Sequence, residues 1–233
     1  MKLNLCSGPN IWPGPGWIHI DRVDQREYLR ILREDVSPEM AATWPADQRW
    51  LSEYLRAGGK IRFFQADALD LMNFCGVTAD ESLDMDDGSF EAIYLGQCIE
   101  HFNRRTDALE LLRECHALLK PGGVLRITTP DLDLLLDAYR SGQMYKFAPE
   151  QPAFYADAAP ADQLAYLMYG ATGPECDWQN YEGHFHCYTR GTIATLLTEA
   201  GFSGPYEFGA KSEVFADAVD KGMSHSLAVE AVK

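Results

Sequence analysis

The 233-residue chain lacks several things, and each absence narrows what it does. None of its 6 cysteines (6, 75, 98, 115, 176 and 187) forms a C-x-x-C pair, so neither a redox motif nor a paired-cysteine zinc knuckle is read. Basic residues are scarce: 20 Lys and Arg stand against 35 Asp and Glu, a net charge of −15. A nucleic-acid partner is therefore disfavoured, because such binding rests on basic residues that displace counterions from phosphates. No uninterrupted apolar run nears the roughly 20 residues that span a bilayer, and no membrane association is expected. Met1 to Cys6 runs straight into Ser7-Gly8-Pro9 without an apolar h-region, so no signal peptide is read. The expected compartment is the cytoplasm, with the cysteines reduced. Repeats and low-complexity tracts are also missing.

What is present is an alternation of strand-like and helical stretches. Lys2 to Leu5 reads as a strand closed by turn formers, and Trp17 to Asp21 as the next. About ten residues separate them, too few for a full crossover helix. Residues 24–35 and 46–57 have helical spacing, and Ile61 to Gln65 is strand-like. Residues 79–88 carry five acids and no base and read as a solvated loop. Phe90 to Leu95 is a strand, Thr106 to Lys120 a helix stopped by Pro121-Gly122-Gly123, and Val124 to Thr128 a strand. Asp131 opens a short helix, residues 141–190 show no simple period, and Thr192 to Ala200 is a helix ended by Gly201. Strands near 206–209 and 225–232 follow, too close together for a crossover and hence antiparallel. The pattern predicts one α/β domain over 1–233: a doubly wound, mainly parallel sheet with an antiparallel last strand, and with insertions at 22–60 and 141–187.

Open parallel sheets bind ligands past the carboxyl ends of their strands. Past the first strand stand Cys6, Ser7 and Gly8; past the second, Asp21; past the third, Asp67 and Ala68; past the fourth, Gly96 and Gln97; past the fifth, Pro130 and Asp131. A glycine turn lets backbone N–H groups approach a ligand closely. An acid at the second strand end suits a ribose diol, and one at the third suits an exocyclic amine. Each is ordinary loop chemistry alone; in this order they describe a site for an adenosine-bearing molecule.

Leu3 to Gly8, Gly16 to Asp21, Gln65 to Asp67, Ser89 to His101 and Leu118 to Val124 together resemble the class I S-adenosylmethionine-dependent methyltransferases, in particular small bacterial members with a compressed first loop. The likeness resumes at 188–202. It is carried above all by Glu100-His101 followed about 20 residues later by Leu119-Lys120-Pro121-Gly122-Gly123. The resemblance implies a Rossmann-like fold, S-adenosyl-L-methionine as cofactor, and roles for particular residues. Asn4, Cys6, Ser7 and Gly8 would pass under the methionine end, with Asn4 on the ammonium. Asp21 would hold the ribose hydroxyls and Asp67 the adenine amine, Ala68 would back the ring, and Gly96 and Gln97 would lie beside the methyl. The family usually has an acid at the position of Asn4 and Gly-x-Gly at the position of Cys6-Ser7-Gly8.

The acceptor side is read from three features. His184, His186 and Tyr188 alternate in Gly183 to Tyr188 and so share one side of an extended segment, a candidate base for a hydroxyl acceptor. Surface or core-edge imidazoles fit the same pattern equally well. Residues 139–188 hold 11 of the 27 aromatic residues, which predicts an aromatic cap over the cofactor crevice, with a small separate core as the plainer account. Arg22, Arg26, Arg30 and Arg33 recur near helical spacing, but the interleaved acids favour a solvated salt-bridged face. No metal is expected: His184, His186, Cys176 and Cys187 lack zinc spacing, and Asp131 and Asp133 sit where a helix N-cap belongs. The sequence thus predicts methyl transfer to a hydroxyl of a small-molecule or glycan acceptor and leaves a homo-oligomer open. A nitrogen or macromolecular acceptor, or a catalytically silent binder of the cofactor acting as a partner subunit, stays open as an alternative.

Overall fold

The structure, a computed structural model, describes residues 1–8, 11, 12, 14, 16–34, 46–70, 75–77, 82–103, 106–150, 153–169, 183–220 and 224–233. Seven strands form one sheet: β1 (Lys2–Leu5), β2 (Trp17–Asp21), β3 (Arg62–Gln65), β6 (Phe90–Gly96), β7 (Leu119–Pro130), β8 (Ser203–Phe208) and β9 (Ser226–Val232). Their order is β3-β2-β1-β6-β7-β9-β8. The first five are parallel; β9 runs antiparallel to both β7 and β8. Chain order reverses between β1 and β6, which makes that gap the sheet's switch point.

Period-two alternation divides the strand residues between two faces. Leu3, Leu5, Ile18, Ile20, Ile93, Leu95, Leu125, Ile127 and Val229 form one aliphatic core. Two helices cover it. α3 (Asp107–Leu118) contributes Leu111, Leu112 and Cys115, and α7 (Arg190–Glu199) contributes Ile193, Leu196 and Leu197. α7 begins where Thr189 and Thr192 exchange capping hydrogen bonds, and Gly201 follows it at φ +105°. Two further helices, α1 (Arg26–Arg33) and α2 (Ala46–Arg56), pack Leu32, Leu51 and Leu55 against Phe63 of β3.

The other face carries a different set. A row of His19, Asn4, Tyr94, Arg126 and Glu230 crosses β2, β1, β6, β7 and β9 in register. Trp12 of the β1–β2 connection and Trp17, the first residue of β2, cover this face together with Phe215 and Ala218.

Several expectations are corrected in detail. Within the acidic stretch 79–88, β5 (Ser82–Asp84) pairs antiparallel with β4 (Cys75–Val77), because three extended residues on each side are enough to close a hairpin despite the charge. β7 starts at Leu119, immediately after α3, with Gly122 at φ +78° inside it. The aperiodic stretch holds a 3₁₀ turn at Met144–Glu150, then α5 (Ala153–Asp157) and α6 (Pro160–Tyr169). These pack Phe147, Tyr155 and Leu167 with Leu135 and Ala138 of α4 (Leu132–Arg140) into a separate small core. Among the described residues no helix is long and apolar enough to cross a membrane.

Candidate functional site

The cleft at the carboxyl ends of β1, β2, β3 and β6 has a volume of about 640 Å³. That lies within the range of small-molecule and cofactor sites. Its walls come from the strand ends in order: Cys6 and Gly8 after β1, Asp21 and Arg22 at β2, Ala66, Asp67 and Ala68 after β3, and Gln97 and Cys98 after β6. His101, Phe102, Gly183 and Phe185 close another side.

The backbone at the switch point is unusual. Cys6 (φ +52°) and Gln97 (φ +51°) are left-handed non-glycine residues, each directly after its strand, and Gly8 follows at φ +49°. Side-chain-bearing residues rarely adopt this conformation, and where they do the strain clusters at functional sites. Gln97 is held by two bonds: its N–H donates to the Thr128 carbonyl (2.8 Å) and its Nε2 donates to Ser226 Oγ (3.0 Å).

Asp21 is the anchor of the loop. Its Oδ2 accepts from the N–H of Gly8 and its Oδ1 from the N–H of Val23, both at 2.7 Å. A carboxylate offers about four acceptor positions, so capacity for two ligand hydroxyls is left. Asp67 is exposed in the cleft and accepts from the Leu69 N–H at 2.9 Å, while Ala68 beside it is buried.

Not every sequence-predicted residue is in this wall. Asn4 lies one residue before the strand end, and alternation turns it to the aromatic face. There its Nδ2 donates to His19 Nδ1 (3.0 Å), and it is 1% exposed. The expected contact with a methionine ammonium is therefore corrected: this amide belongs to the sheet's polar row. Ser7 is also buried and does not line the cleft. Gly96 is explained by a neighbour, since a Cβ there would stand 2.3 Å from the ring of Tyr94.

The histidine triplet separates. Tyr188 is 0% exposed and packs in the aliphatic core, its backbone bridged to Asp131, so a cleft-facing phenol is corrected. His186 packs edge-on to Tyr188, ring centroids 4.6 Å apart. His184 instead meets His101 edge-to-face at 4.8 Å. Burial, and then the nearby His101, hold the His184 imidazole neutral, lowering its pKa to about 4. The segment is clamped in place: the N–H groups of Phe185 (2.7 Å) and His186 (3.2 Å) both donate to the Glu100 carbonyl. His101 stood out in the sequence only as part of the Glu100-His101 motif and not as an acceptor-site residue, because its contact with His184 joins segments 83 residues apart.

The cap aromatics also divide. Phe147 and Tyr155 are used in the local core, Tyr145 and Tyr169 are exposed, and Phe185 lines the cleft. Trp178 and Tyr181 lie outside the described residues. Asp131 is an N-cap, its Oδ1 accepting from the N–H of Asp133 and Leu134. On α1, Arg26 pairs with Asp24, and Arg30 with Glu27 and Glu34, as a solvated face would have it.

A family model described as a methyltransferase domain matches residues 73–204, and a second of the same description matches residues 13–127. No curated protein matches the sequence. Solved structures similar to the chain include the 1,6-didemethyltoxoflavin-N1-methyltransferase of Burkholderia thailandensis, with 15% identity and a TM-score of 0.46 over 100% of this chain and 70% of that one. A S-adenosylmethionine-dependent methyltransferase of Methanosarcina mazei has 17% identity and a TM-score of 0.47, covering 100% and 91%. An O-methyltransferase family protein of Burkholderia thailandensis has 17% and 0.45, covering 100% and 50%.

Proposed function

The chain belongs to the methyltransferase family and takes its methyl group from S-adenosylmethionine, and we propose that the acceptor is a hydroxyl of a small or sugar-like molecule. The observation that carries the reading is the convergence of four neighbouring parallel strand ends and the His101 imidazole, backed by His184, on one cleft.

The residues present fit the cofactor. Asp21 would hold the ribose hydroxyls with its remaining acceptor positions, Asp67 the adenine amine, and Ala68 the face of the ring. Cys6, Gly8 and Gln97 would border the methionine end. When bound, the cofactor supplies a methyl group on a sulfonium, an electrophile strong enough that alignment of the acceptor is most of the catalytic task.

The protein's further contribution lies at the acceptor end. A hydroxyl oxygen must shed its proton as it becomes an ether oxygen, and a positioned group that favours that loss contributes typically ~10²–10⁴-fold. His101 stands on the cleft wall with the neutral His184 against it, so this end suits an oxygen acceptor. Phe185, exposed at 66% beside them, offers an apolar surface for the body of the acceptor.

Two measurements test the reading. Calorimetry with S-adenosylhomocysteine should show Asp21→Ala losing about 1–3 kcal/mol, or roughly 5–150-fold in affinity. Unchanged affinity would remove the ribose from Asp21. Incubation with labelled cofactor and fractionated small molecules, followed by fragmentation of the product, should place the label on oxygen. A label on nitrogen would overturn the hydroxyl reading, and tight cofactor binding without transfer would favour a silent binder.

A further inference from the structure

We propose that Glu100, His101 and His184 form a binding site for one first-row divalent cation, such as Mn²⁺, Co²⁺ or Zn²⁺, at the acceptor end of the cleft. Their donor atoms, one from each residue, all lie within 4.8 Å of one another. A point equidistant from three atoms at that separation is about 2.8 Å from each, and metal–ligand bonds of about 2.1 Å then need inward shifts of roughly 0.7 Å.

Three further observations point to a ligand there. Glu100 is 0% exposed, and while Thr129 Oγ1 donates to its Oε2 (2.9 Å), its Oε1 meets no hydrogen-bond donor among the described residues. A buried carboxyl oxygen left in that condition is costly unless a proton or a cation sits against it. His184 Nδ1 lies 3.2 Å from the Met168 carbonyl, which can only accept, so Nδ1 carries the proton and Nε2 presents a lone pair. A hydrogen bond from the second ring nitrogen to a backbone carbonyl is how metal-ligating histidines are commonly oriented. Finally, the Glu100 carbonyl accepts from the N–H groups of Phe185 and His186, so the backbone beside His184 is tied to that of Glu100.

Two imidazoles and one carboxylate form a donor set for a first-row divalent ion and leave coordination positions open. His101 and Phe185 line the cleft, so those positions would be reached from it. The proposal rests on the reading of this end as a hydroxyl site and supplies its chemistry. A hydroxyl coordinated to such a cation ionises more readily. Its proton passes to water, its oxygen forms the new bond to the methyl carbon, and the carbon–sulfur bond breaks with its electron pair going to sulfur. Spacing rules could not reveal this site, because two ligands are adjacent in sequence and the third comes 83 residues later.

The test uses the full chain and Co²⁺ alone, so it does not depend on finding the acceptor. Titration followed by visible absorption should saturate at one equivalent, and Zn²⁺ should displace the cobalt band. Glu100→Gln, His101→Ala and His184→Ala should each weaken Co²⁺ binding by more than about 100-fold, beyond what loss of a merely orienting neighbour does. His186→Ala, one turn of extended chain away, should retain it. Circular dichroism checks each fold, and if His184→Ala does not fold, Glu100→Gln and His101→Ala decide. No saturable binding at ~100 µM Co²⁺, or equal binding in Glu100→Gln and His101→Ala, would overturn the site. Failure here leaves the labelled-methyl result untouched, so the two readings fail separately.

Discussion

The two faces of the central sheet are built from the same strands on opposite principles. On one, Leu3, Leu5, Ile18, Ile20, Ile93, Leu95, Leu125 and Ile127 meet α3 and α7 through aliphatic contact alone. On the other, the row from His19 to Glu230 is buried just as deeply but is held by directed bonds. His19 Nε2 donates to the Trp12 carbonyl (3.1 Å) while its Nδ1 accepts from Asn4. Arg126 donates to Glu230 (2.8 Å), to Asp220 (2.8 Å) and to the Ala210 carbonyl (2.6 Å). Aliphatic side chains of like volume exchange with modest loss. A buried polar row functions only when every partner is in register, and a slip of one residue would send it into the aliphatic core. The aliphatic face thus supplies much of the stability, and the polar face specifies strand pairing.

The sharpest way to break that comparison is at Arg126. Arg126→Ala leaves Glu230 buried without its cation, while Asp220 keeps Lys211 at 4.0 Å, and should cost about 3–5 kcal/mol in urea unfolding. Replacing Arg126 and Glu230 together by Met should recover much of that loss. A cost under about 1 kcal/mol for the single variant would show that the row carries little.

His19 gives the next largest effect, as a dependence on pH. Burial pushes its pKa from 6.5 down to about 4, with the Trp12 carbonyl opposing in part. The unfolded chain therefore binds the proton first. The contribution is complete above about pH 6.5 and is lost as pH falls towards 4, amounting to about 3 kcal/mol at most. Denaturant midpoints of the protein and of His19→Asn between pH 7 and 4.5 should converge as the pH falls. Parallel curves would mean that His19 does not titrate in this way.

The smallest effect belongs to the aliphatic face. Ile127→Val removes one methylene from the core and should cost about 0.5–1.5 kcal/mol without a change in pH dependence. Thermal unfolding at two pH values would check both parts. A larger loss would mean that this face is as exacting as the other.

Much of the fold was legible in order along the chain. Strand alternation, the short β1–β2 connection, the Thr192-to-Ala200 helix and the antiparallel ending were read from local pattern, and so were the cleft positions of Cys6, Gly8, Asp21, Asp67, Ala68 and Gln97. These depend on hydrophobic period and turn chemistry, which act over a few residues. Tyr188 shows where that ends: alternation groups it with His184 and His186, but says nothing of which neighbours each will meet. The β4–β5 hairpin was missed because charge dominated the reading of its sequence, and the helices after Ser141 because two short helices and a 3₁₀ turn sustain no long period.

What the amino-acid sequence determined by itself was therefore the succession of elements, the turn residues at each strand end and the family to which the chain belongs. Only the tertiary structure decided that Asn4 serves the sheet and not the cleft, that Phe147 and Tyr155 stabilise a local core, and that His101 faces His184 beside a buried Glu100. The physical reason is range. Backbone propensity and side-chain period are properties of neighbours in the chain, whereas burial, neutralisation of an imidazole and convergence of donor atoms arise only when distant segments are packed together.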